Sequence, residues 1–166
     1  MLFRSVPGRP DVWAGPAISV HTDHPLAACM ASQYAGWQVA GEKFFAMGSG
    51  PMRAARGREA IFDDIGLRET PTLAVGVLEC GKLPPGTVCA KLASECGVDE
   101  ERLTLLVAPT RSIAGTIQVV ARSVETALHK LHTLHFDLQR VVSGQGVAPL
   151  PPVAADDLTG IGRTND

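Results

Sequence analysis

Arg122 and Glu125 are the two residues whose types and spacing best suit acid–base chemistry in this chain. On a helix, at ~100° per residue, a three-residue step places both side chains on one face. A carboxylate in that position can take a proton from water and later return it. A neighbouring cation would keep the carboxylate ionised, and partial burial would raise its pKa towards working pH. The spacing therefore makes Glu125 a candidate general base and Arg122 the residue that orients it.

The same predicted helix face carries further polar side chains, which leave a second interpretation open. Gln118, His129 and His132 recur with the pair at steps of three and four residues. Such a stripe is also typical of a solvated face, where each Arg–Glu or Glu–His pair contributes only about 0.2–0.5 kcal/mol. From spacing alone the solvated face is favoured, because structural ion pairs often imitate functional sites.

A glycine-rich turn, Gly48-Ser49-Gly50, is the second feature that suits ligand binding. It follows a predicted strand and precedes a helix that could begin at Pro51. Glycines let a backbone come close to a ligand, and the N–H groups at a helix start favour an anionic or carbonyl group. The turn matches neither the dinucleotide nor the P-loop pattern, and it lacks the GxSxG elbow. It is therefore either an ordinary turn or a contact for a ligand that is not a nucleotide.

Histidine and cysteine spacings raise a metal site as an alternative. His21 and His24 flank Asp23, and His129 and His132 share the helix face described above. Neither histidine pair has an evident third ligand elsewhere in the sequence. The cysteines form no CxxC motif and are expected to be reduced, partly buried thiols; they stand at positions 29, 80, 89 and 96. We expect no metal in the site, with a metal-dependent hydrolase as an alternative.

Alternating strand and helix patterns must position these side chains. The patterns predict strands over 17–20, 42–47, 72–78 and 103–107, and helices over 26–36, from 51, over 85–96 and over 116–134. The Pro-rich stretch Pro149–Pro152 is predicted to be loop, and a further helix begins near 156. The first fifteen residues are rich in Pro and Gly and predict an irregular segment, so the folded region is placed at 16–166. The fold class is α/β, with layered strands and helices.

The composition suits a globular protein and excludes several partners. Of the 166 residues, 45% are hydrophobic and 19% charged, which is too apolar for a disordered chain. The net charge is −2 with no basic block, so no nucleic-acid partner is expected. No apolar run is long enough to cross a bilayer, and the first residues lack a signal-peptide pattern. We expect a cytoplasmic protein without membrane contact.

Several segments, taken in order, resemble the methenyltetrahydromethanopterin cyclohydrolase family. They are Thr22-Asp-His-Pro25, Ala31-Ser-Gln-Tyr-Ala-Gly-Trp37, Phe45-Ala-Met-Gly-Ser-Gly-Pro51, Ala108-Pro-Thr110, Val120 to His132, Val142 to Val153 and Gly162-Arg-Thr-Asn-Asp166. Their order and spacing are specific over nearly the whole chain. Two departures are local: Arg111 stands where the family pattern has a small residue, and His135 stands where it has Gly before Phe.

The resemblance covers an internal portion, about half, of the longer family proteins. The first eight residues do not follow the family pattern, and we expect them to be a boundary artefact. The α/β region at 16–166 is accordingly expected to be incomplete. The family implies a two-domain α/β fold that binds the pterin in the cleft between domains. It also implies a homo-oligomer, expected to be a trimer.

The resemblance also implies the site residues and reverses the preference for a solvated helix face. Arg122 and Glu125 correspond to the catalytic pair of the family. Gln33 and the turn residues Gly48, Ser49 and Gly50 are then the expected substrate contacts.

The implied reaction is the reversible hydrolysis of the cyclic amidinium of 5,10-methenyltetrahydromethanopterin to 5-formyltetrahydromethanopterin. It belongs to one-carbon metabolism, in formaldehyde oxidation or methanogenesis. The methenyl carbon already shares a positive charge with two ring nitrogens, so no cofactor is expected beyond the pterin that carries the one-carbon unit. Glu125 would take a proton from the attacking water and return it to the departing nitrogen. Two alternatives remain: a catalytically incomplete pterin-binding fragment, and the metal-dependent hydrolase.

Overall fold

A computed structural model of the chain describes residues 1–41 and 43–165. The strands in this part of the chain are Leu2–Pro7 (β1), Pro16–Thr22 (β2), Trp37–Gly41 (β3), Phe44–Ser49 (β4), Ala74–Glu79 (β5), Leu103–Ala108 (β6) and Gly144–Pro149 (β7). The α-helices are Met52–Arg56 (α1), Ile61–Ile65 (α2), Gly86–Cys96 (α3), Ile113–Val120 (α4), Ser123–Thr133 (α5) and Asp157–Asn165 (α6). A π-helix spans Leu26–Gln33, and short 3-10 turns lie at Glu100–Arg102 and Leu138–Arg140. The predicted α/β fold class is confirmed.

The chain forms two compact units. The first combines Met1–Pro25 with the segment from Pro109 onward, and the second is Leu26–Ala108. The first unit is therefore built from two distant stretches of sequence, and the second is continuous.

In the first unit, three antiparallel strands form a sheet in the order β1-β2-β7. The central strand β2 is the most buried of the three, because Ala17, Ile18, Val20 and Thr22 are almost inaccessible to solvent. Helix α5 packs on β2 and β7. Its apolar residues Val124 and Leu128 are buried.

The second unit contains a four-stranded sheet in the order β3-β4-β5-β6. The first three strands are antiparallel, whereas β5 and β6 are parallel and are joined through α3, as parallel neighbours require a crossover. A core of buried side chains covers this sheet, and it contains Trp37, Val39, Phe44, Ala46, Met52, Ala74, Leu78, Val88, Leu92 and Cys96. Helix α3 ends at Gly97, as predicted, because Gly97 has φ 69° and closes the last turn.

Three strands of the described residues were not predicted, and two of them belong to the first unit. Residues 1–15 were predicted to be irregular, which is wrong for Leu2–Pro7, and no strand was predicted over Gly144–Pro149. Both strands pair with β2, so their backbone hydrogen bonds come from a partner distant in sequence. Their side chains are mostly exposed or are glycine and proline, and therefore show no apolar alternation.

The predicted helices also differ in detail from the observed ones. The helix expected over 26–36 is a π-helix that ends at Gln33, and Trp37 begins the unpredicted strand β3. The helix expected over 116–134 is interrupted at Ala121 and Arg122, so that α4 and α5 are separate. Apolar periodicity continues across the interruption and therefore cannot reveal it. The strand predicted over 42–47 is observed as Phe44–Ser49, and Glu42 lies outside the described residues.

Within the described residues, no helix combines the length and apolar character that a membrane span requires.

Candidate active site

Glu125 is buried in the first turn of α5, with only 5% of its surface exposed. Arg122 is the N-cap residue of this helix, with φ −85° and ψ 10°, so Glu125 is the third helical residue. Because α4 and α5 are separate, Glu125 lies in the first turn of a helix and not in the middle of one. The positive end of the helix dipole favours a negative charge at that position.

Arg122 is held by a residue of the preceding helix. Its Nη2 donates a hydrogen bond to Oε1 of Gln118 at 2.6 Å. Helix α4 begins after Ser112, whose hydroxyl accepts a hydrogen bond from the N–H of Gly115, which is a standard cap. Gln118 therefore connects α4 to the guanidinium at the start of α5, as the four-residue step in the sequence predicts.

Two glycines of β7 allow α5 to approach the sheet closely. A Cβ placed on Gly144 would lie 2.6 Å from Cγ1 of Val124, and one placed on Gly146 would lie 2.5 Å from Oγ of Ser123. At either position an added Cβ would require the neighbouring side chain to shift. These glycines therefore fix how closely the first turn of α5, which carries Glu125, approaches the strand. The sequence signal is a Gly-x-Gly step that puts both glycines on one face of a strand.

The turn Gly48-Ser49-Gly50 closes β4 in the second unit. Gly50 has φ 91°, and a Cβ there would lie 3.2 Å from the carbonyl oxygen of Val75, so this position favours glycine. The N–H of Gly50 donates to the carbonyl of Ser32 at 2.7 Å. The predicted substrate contacts are thereby brought together, because Gln33 directly follows Ser32.

Arg53, which sequence reasoning did not single out as functional, joins the same region of the second unit. Its side chain is fully buried, and Nη1 donates to the carbonyl oxygens of Met30 at 2.9 Å and Ala31 at 3.1 Å. Its Nε also forms an ion pair with Oε1 of Glu59 at 3.1 Å. The only local signal was a helix start rich in arginine, which does not distinguish a buried arginine from an exposed one.

The histidine and cysteine candidates are placed as follows. Nε2 of His21 lies 3.5 Å from Oδ1 of Asp23, which is a contact between largely exposed groups. No three His, Cys, Asp or Glu side chains cluster as metal ligands in residues 1–41 and 43–165. The cysteines are free thiols. Burial, and then the neighbouring Glu95 carboxylate, raise the pKa of Cys96 to about 11, so this thiol stays protonated at neutral pH.

An apolar pocket of about 550 Å³ lies in the first unit, between Trp13, Ile113 and residues 150–153. It contains none of the predicted site residues. The acid–base candidates and this pocket are therefore distinct features of the first unit.

Comparison with known proteins identifies a family that matches this chain. The family model described as Cyclohydrolase (MCH) matches residues 4–166. A methenyltetrahydromethanopterin cyclohydrolase of Methylobacillus flagellatus is 54% identical over 149 residues, which are 90% of this chain and 46% of the relative. One of Rhodopirellula baltica is 54% identical over 168 residues, which cover 98% of this chain and 50% of the relative.

An archaeal relative extends the range of the comparison. A methenyltetrahydromethanopterin cyclohydrolase of Methanosarcina mazei is 45% identical over 152 residues, which cover 91% of this chain and 47% of the relative. The chain thus spans about half the length of these curated relatives. Since the family match extends over nearly all of its residues, the chain belongs to the cyclohydrolase family, as its sequence motifs predicted.

Proposed function

We propose that the protein hydrolyses the cyclic amidinium of 5,10-methenyltetrahydromethanopterin to the 5-formyl compound, reversibly. The observation that carries this proposal is the buried carboxylate of Glu125 at the start of α5, beside the cap residue Arg122. The names of relatives that match most of this chain support the pterin as substrate. Their occurrence in a methylotroph and in a methanogen supports a place in one-carbon metabolism, in formaldehyde oxidation or methanogenesis.

The chemistry requires one group that first accepts and then donates a proton. Water adds to the methenyl carbon as Glu125 removes its proton, which gives a carbinolamine. Glu125, now protonated, returns the proton to the departing ring nitrogen as the carbon–nitrogen bond breaks, and the hydroxyl proton of the carbinolamine is released to water as the formyl carbonyl forms. One carboxylate serves both steps because they are sequential.

Arg122 orients Glu125 rather than the substrate. The substrate is a cation, so a guanidinium directed at its ring would oppose binding. The hydrogen bond from Arg122 to Gln118 supports this role, because it restrains the guanidinium from the protein side. Gln118 therefore positions Arg122.

Gln33, Gly48, Ser49 and Gly50 contact the pterin. An amide side chain both donates and accepts hydrogen bonds, which suits the edge of a pterin ring. The glycines contribute backbone groups, because the Cβ positions of Gly48 and Gly50 already lie against neighbouring protein atoms. Their attachment to the π-helix through the Gly50–Ser32 hydrogen bond supports a single binding surface on the second unit.

Three further properties are proposed with this function. No cofactor is required, because the methenyl carbon is electrophilic without one. The protein acts in the cytoplasm. It assembles as a homo-oligomer, which family resemblance suggests is a trimer.

The test follows the near-ultraviolet absorbance of the methenyl pterin after the protein is added. We expect absorbance to fall faster than in buffer, and hydrolysis in ¹⁸O-labelled water to place the label in the formyl group. Glu101→Gln, an exposed glutamate changed in the same way, should act like the unchanged protein. A folded protein that leaves the buffer rate unchanged would contradict the proposal, and pterin binding without turnover would favour a binding fragment instead.

A further inference from the structure

We infer that Arg53 is the positioning residue that sets the pterin-binding surface of the second unit, by capping the π-helix that ends at Gln33. This inference rests on the proposed function, because it takes Gln33 and the turn Gly48-Ser49-Gly50 as substrate contacts. Arg53 acts through these groups and does not itself touch the substrate.

The carbonyl groups at the end of the π-helix accept hydrogen bonds from outside the helix. The last carbonyls of any helix have no partner within it and must find one elsewhere. Here the carbonyls of Met30 and Ala31 both accept from Nη1 of Arg53, and the carbonyl of Ser32 accepts from the N–H of Gly50. The end of this helix is thus satisfied by a side chain more than twenty positions away, instead of a local cap.

The guanidinium of Arg53 is itself held by aromatic rings and by a carboxylate. Its carbon lies 5.0 Å from the ring centroid of Tyr34 and 5.3 Å from that of Phe62, and Nε pairs with Glu59. Nη2 has no hydrogen-bond acceptor among the described residues, and the two aromatic rings provide favourable electrostatic contact instead. A planar, delocalised cation fits this environment, whereas the compact ammonium of lysine does not.

The backbone of Arg53 links the end of the π-helix to the turn Gly48-Ser49-Gly50. The backbone N–H of Arg53 donates to the carbonyl of Gly50 at 3.0 Å, while the N–H of Gly50 donates to Ser32 at 2.7 Å. Backbone and side chain of Arg53 therefore close a ring of contacts that runs through the end of the π-helix and the turn. The position of Gln33 relative to Gly48-Ser49-Gly50 depends on this ring.

Helix α1 supplies a matched control. Arg56 lies on the same helix, pairs with Glu95 at 2.9 Å and stacks on Trp37 at 4.4 Å, but none of these contacts reaches the π-helix. Arg53→Lys and Arg56→Lys are thus the same substitution at a buried and at a half-buried arginine. Only the first should disturb the binding surface.

The experiment compares steady-state kinetics of the two variants with the methenyl pterin. Arg53→Lys should raise KM about tenfold or more while kcat stays within about threefold, because the lost interaction affects binding and not the proton transfer. Arg56→Lys should leave KM unchanged. In a protein that already carries Gln33→Ala, the additional change Arg53→Lys should raise KM only slightly, because both changes act through the same contact.

Circular dichroism and thermal unfolding establish that the variants are folded. If Arg53→Lys does not fold, Glu59→Gln replaces it, with Glu95→Gln as its control, and the same difference in KM is expected. Equal KM values for variant and control would overturn the inference while the proposed function stands. An unchanged protein without pterin binding or turnover would instead overturn the proposed function, and this inference with it.

Discussion

The position of Glu125 depends on neighbouring residues that have different roles. Ala121 is the C-cap residue of α4, and Arg122 is the N-cap residue of α5. Gln118 accepts a hydrogen bond from the guanidinium of Arg122, and Gly144 lets α5 approach the sheet. The spacing of polar residues predicts the shared face of Gln118 and Arg122. It does not predict that Glu125 is buried, because burial depends on what packs around α5.

At the scale of one residue, His135 is a position where the chain carries a conformational cost. It has φ 58° and closes α5, since its N–H donates to His132 and that of Phe136 donates to Leu131. The family pattern has glycine at this position, and a side chain in the left-handed region costs roughly 1 kcal/mol. We therefore expect His135→Gly to raise the free energy of unfolding by about 0.5–1 kcal/mol, measured in urea.

Gly97 provides the reverse substitution at the end of α3, where φ is 69°. Gly97→Ala should lower the free energy of unfolding by about 1 kcal/mol. A loss of stability in His135→Gly would show that the histidine side chain makes a compensating contact.

Asp157 gives a pH dependence to the first unit. Its Oδ1 accepts hydrogen bonds from the N–H of Arg111 and from Oγ1 of Thr110, both at 2.9 Å. The Arg111 N–H, with a smaller contribution from Thr110, holds the pKa of this carboxyl below its ordinary value. The resulting stability is present above the unfolded pKa, near 4, and is lost as pH falls through the lower folded pKa.

Urea unfolding of Asp157→Asn at two pH values tests this contribution. The variant should be less stable than the unchanged protein at pH 7, and the difference should be smaller at about pH 3. A difference of the same size at both pH values would show that the ionised carboxylate is not responsible.

At the scale of the element, the contact between α5 and β7 determines where the candidate base lies. Cγ1 of Val124 occupies the space that a Cβ on Gly144 would need. A valine in a helix has little rotamer freedom, so it cannot move aside easily. We expect Gly144→Ala to lower the free energy of unfolding by about 1–3 kcal/mol, as overpacking does.

A double-mutant cycle isolates this contact. Val124→Ala removes the obstructing methyl groups, so its combination with Gly144→Ala should be more stable than the sum of the single changes predicts. Gly86→Ala, with open space around the added methyl group, should cost nothing measurable. If the effects of the two changes on the free energy of unfolding were strictly additive, Gly144 of β7 and Val124 of α5 would not be in contact.

Elements with their own local signals were predictable, and elements without them were not. Helix α3 has an apolar face and a glycine stop, and β6 is a short apolar run, so both were predicted close to their observed bounds. In contrast, β1 and β7 depend on pairing with β2, and the interruption before α5 depends on one residue in a non-helical conformation. Local periodicity contains none of that information.

At the scale of the whole molecule, two units each hold part of the predicted site. Arg122 and Glu125 belong to the first, whereas Gln33 and the glycine turn belong to the second. The order of the sequence motifs was enough to predict the family, because motifs can be recognised without knowing how the chain packs. It could not identify Arg53, since an arginine that caps a helix more than twenty residues away leaves no local pattern.

The central claim is that Glu125 transfers the proton in methenyl pterin hydrolysis, and Glu125→Gln tests it most directly. The measurement is kcat from the loss of near-ultraviolet absorbance, beside Glu101→Gln and with folding checked by circular dichroism. We expect Glu125→Gln to lower kcat by roughly 10²–10⁴-fold while Glu101→Gln does not change it. A folded Glu125→Gln variant that keeps the full kcat would contradict the assignment.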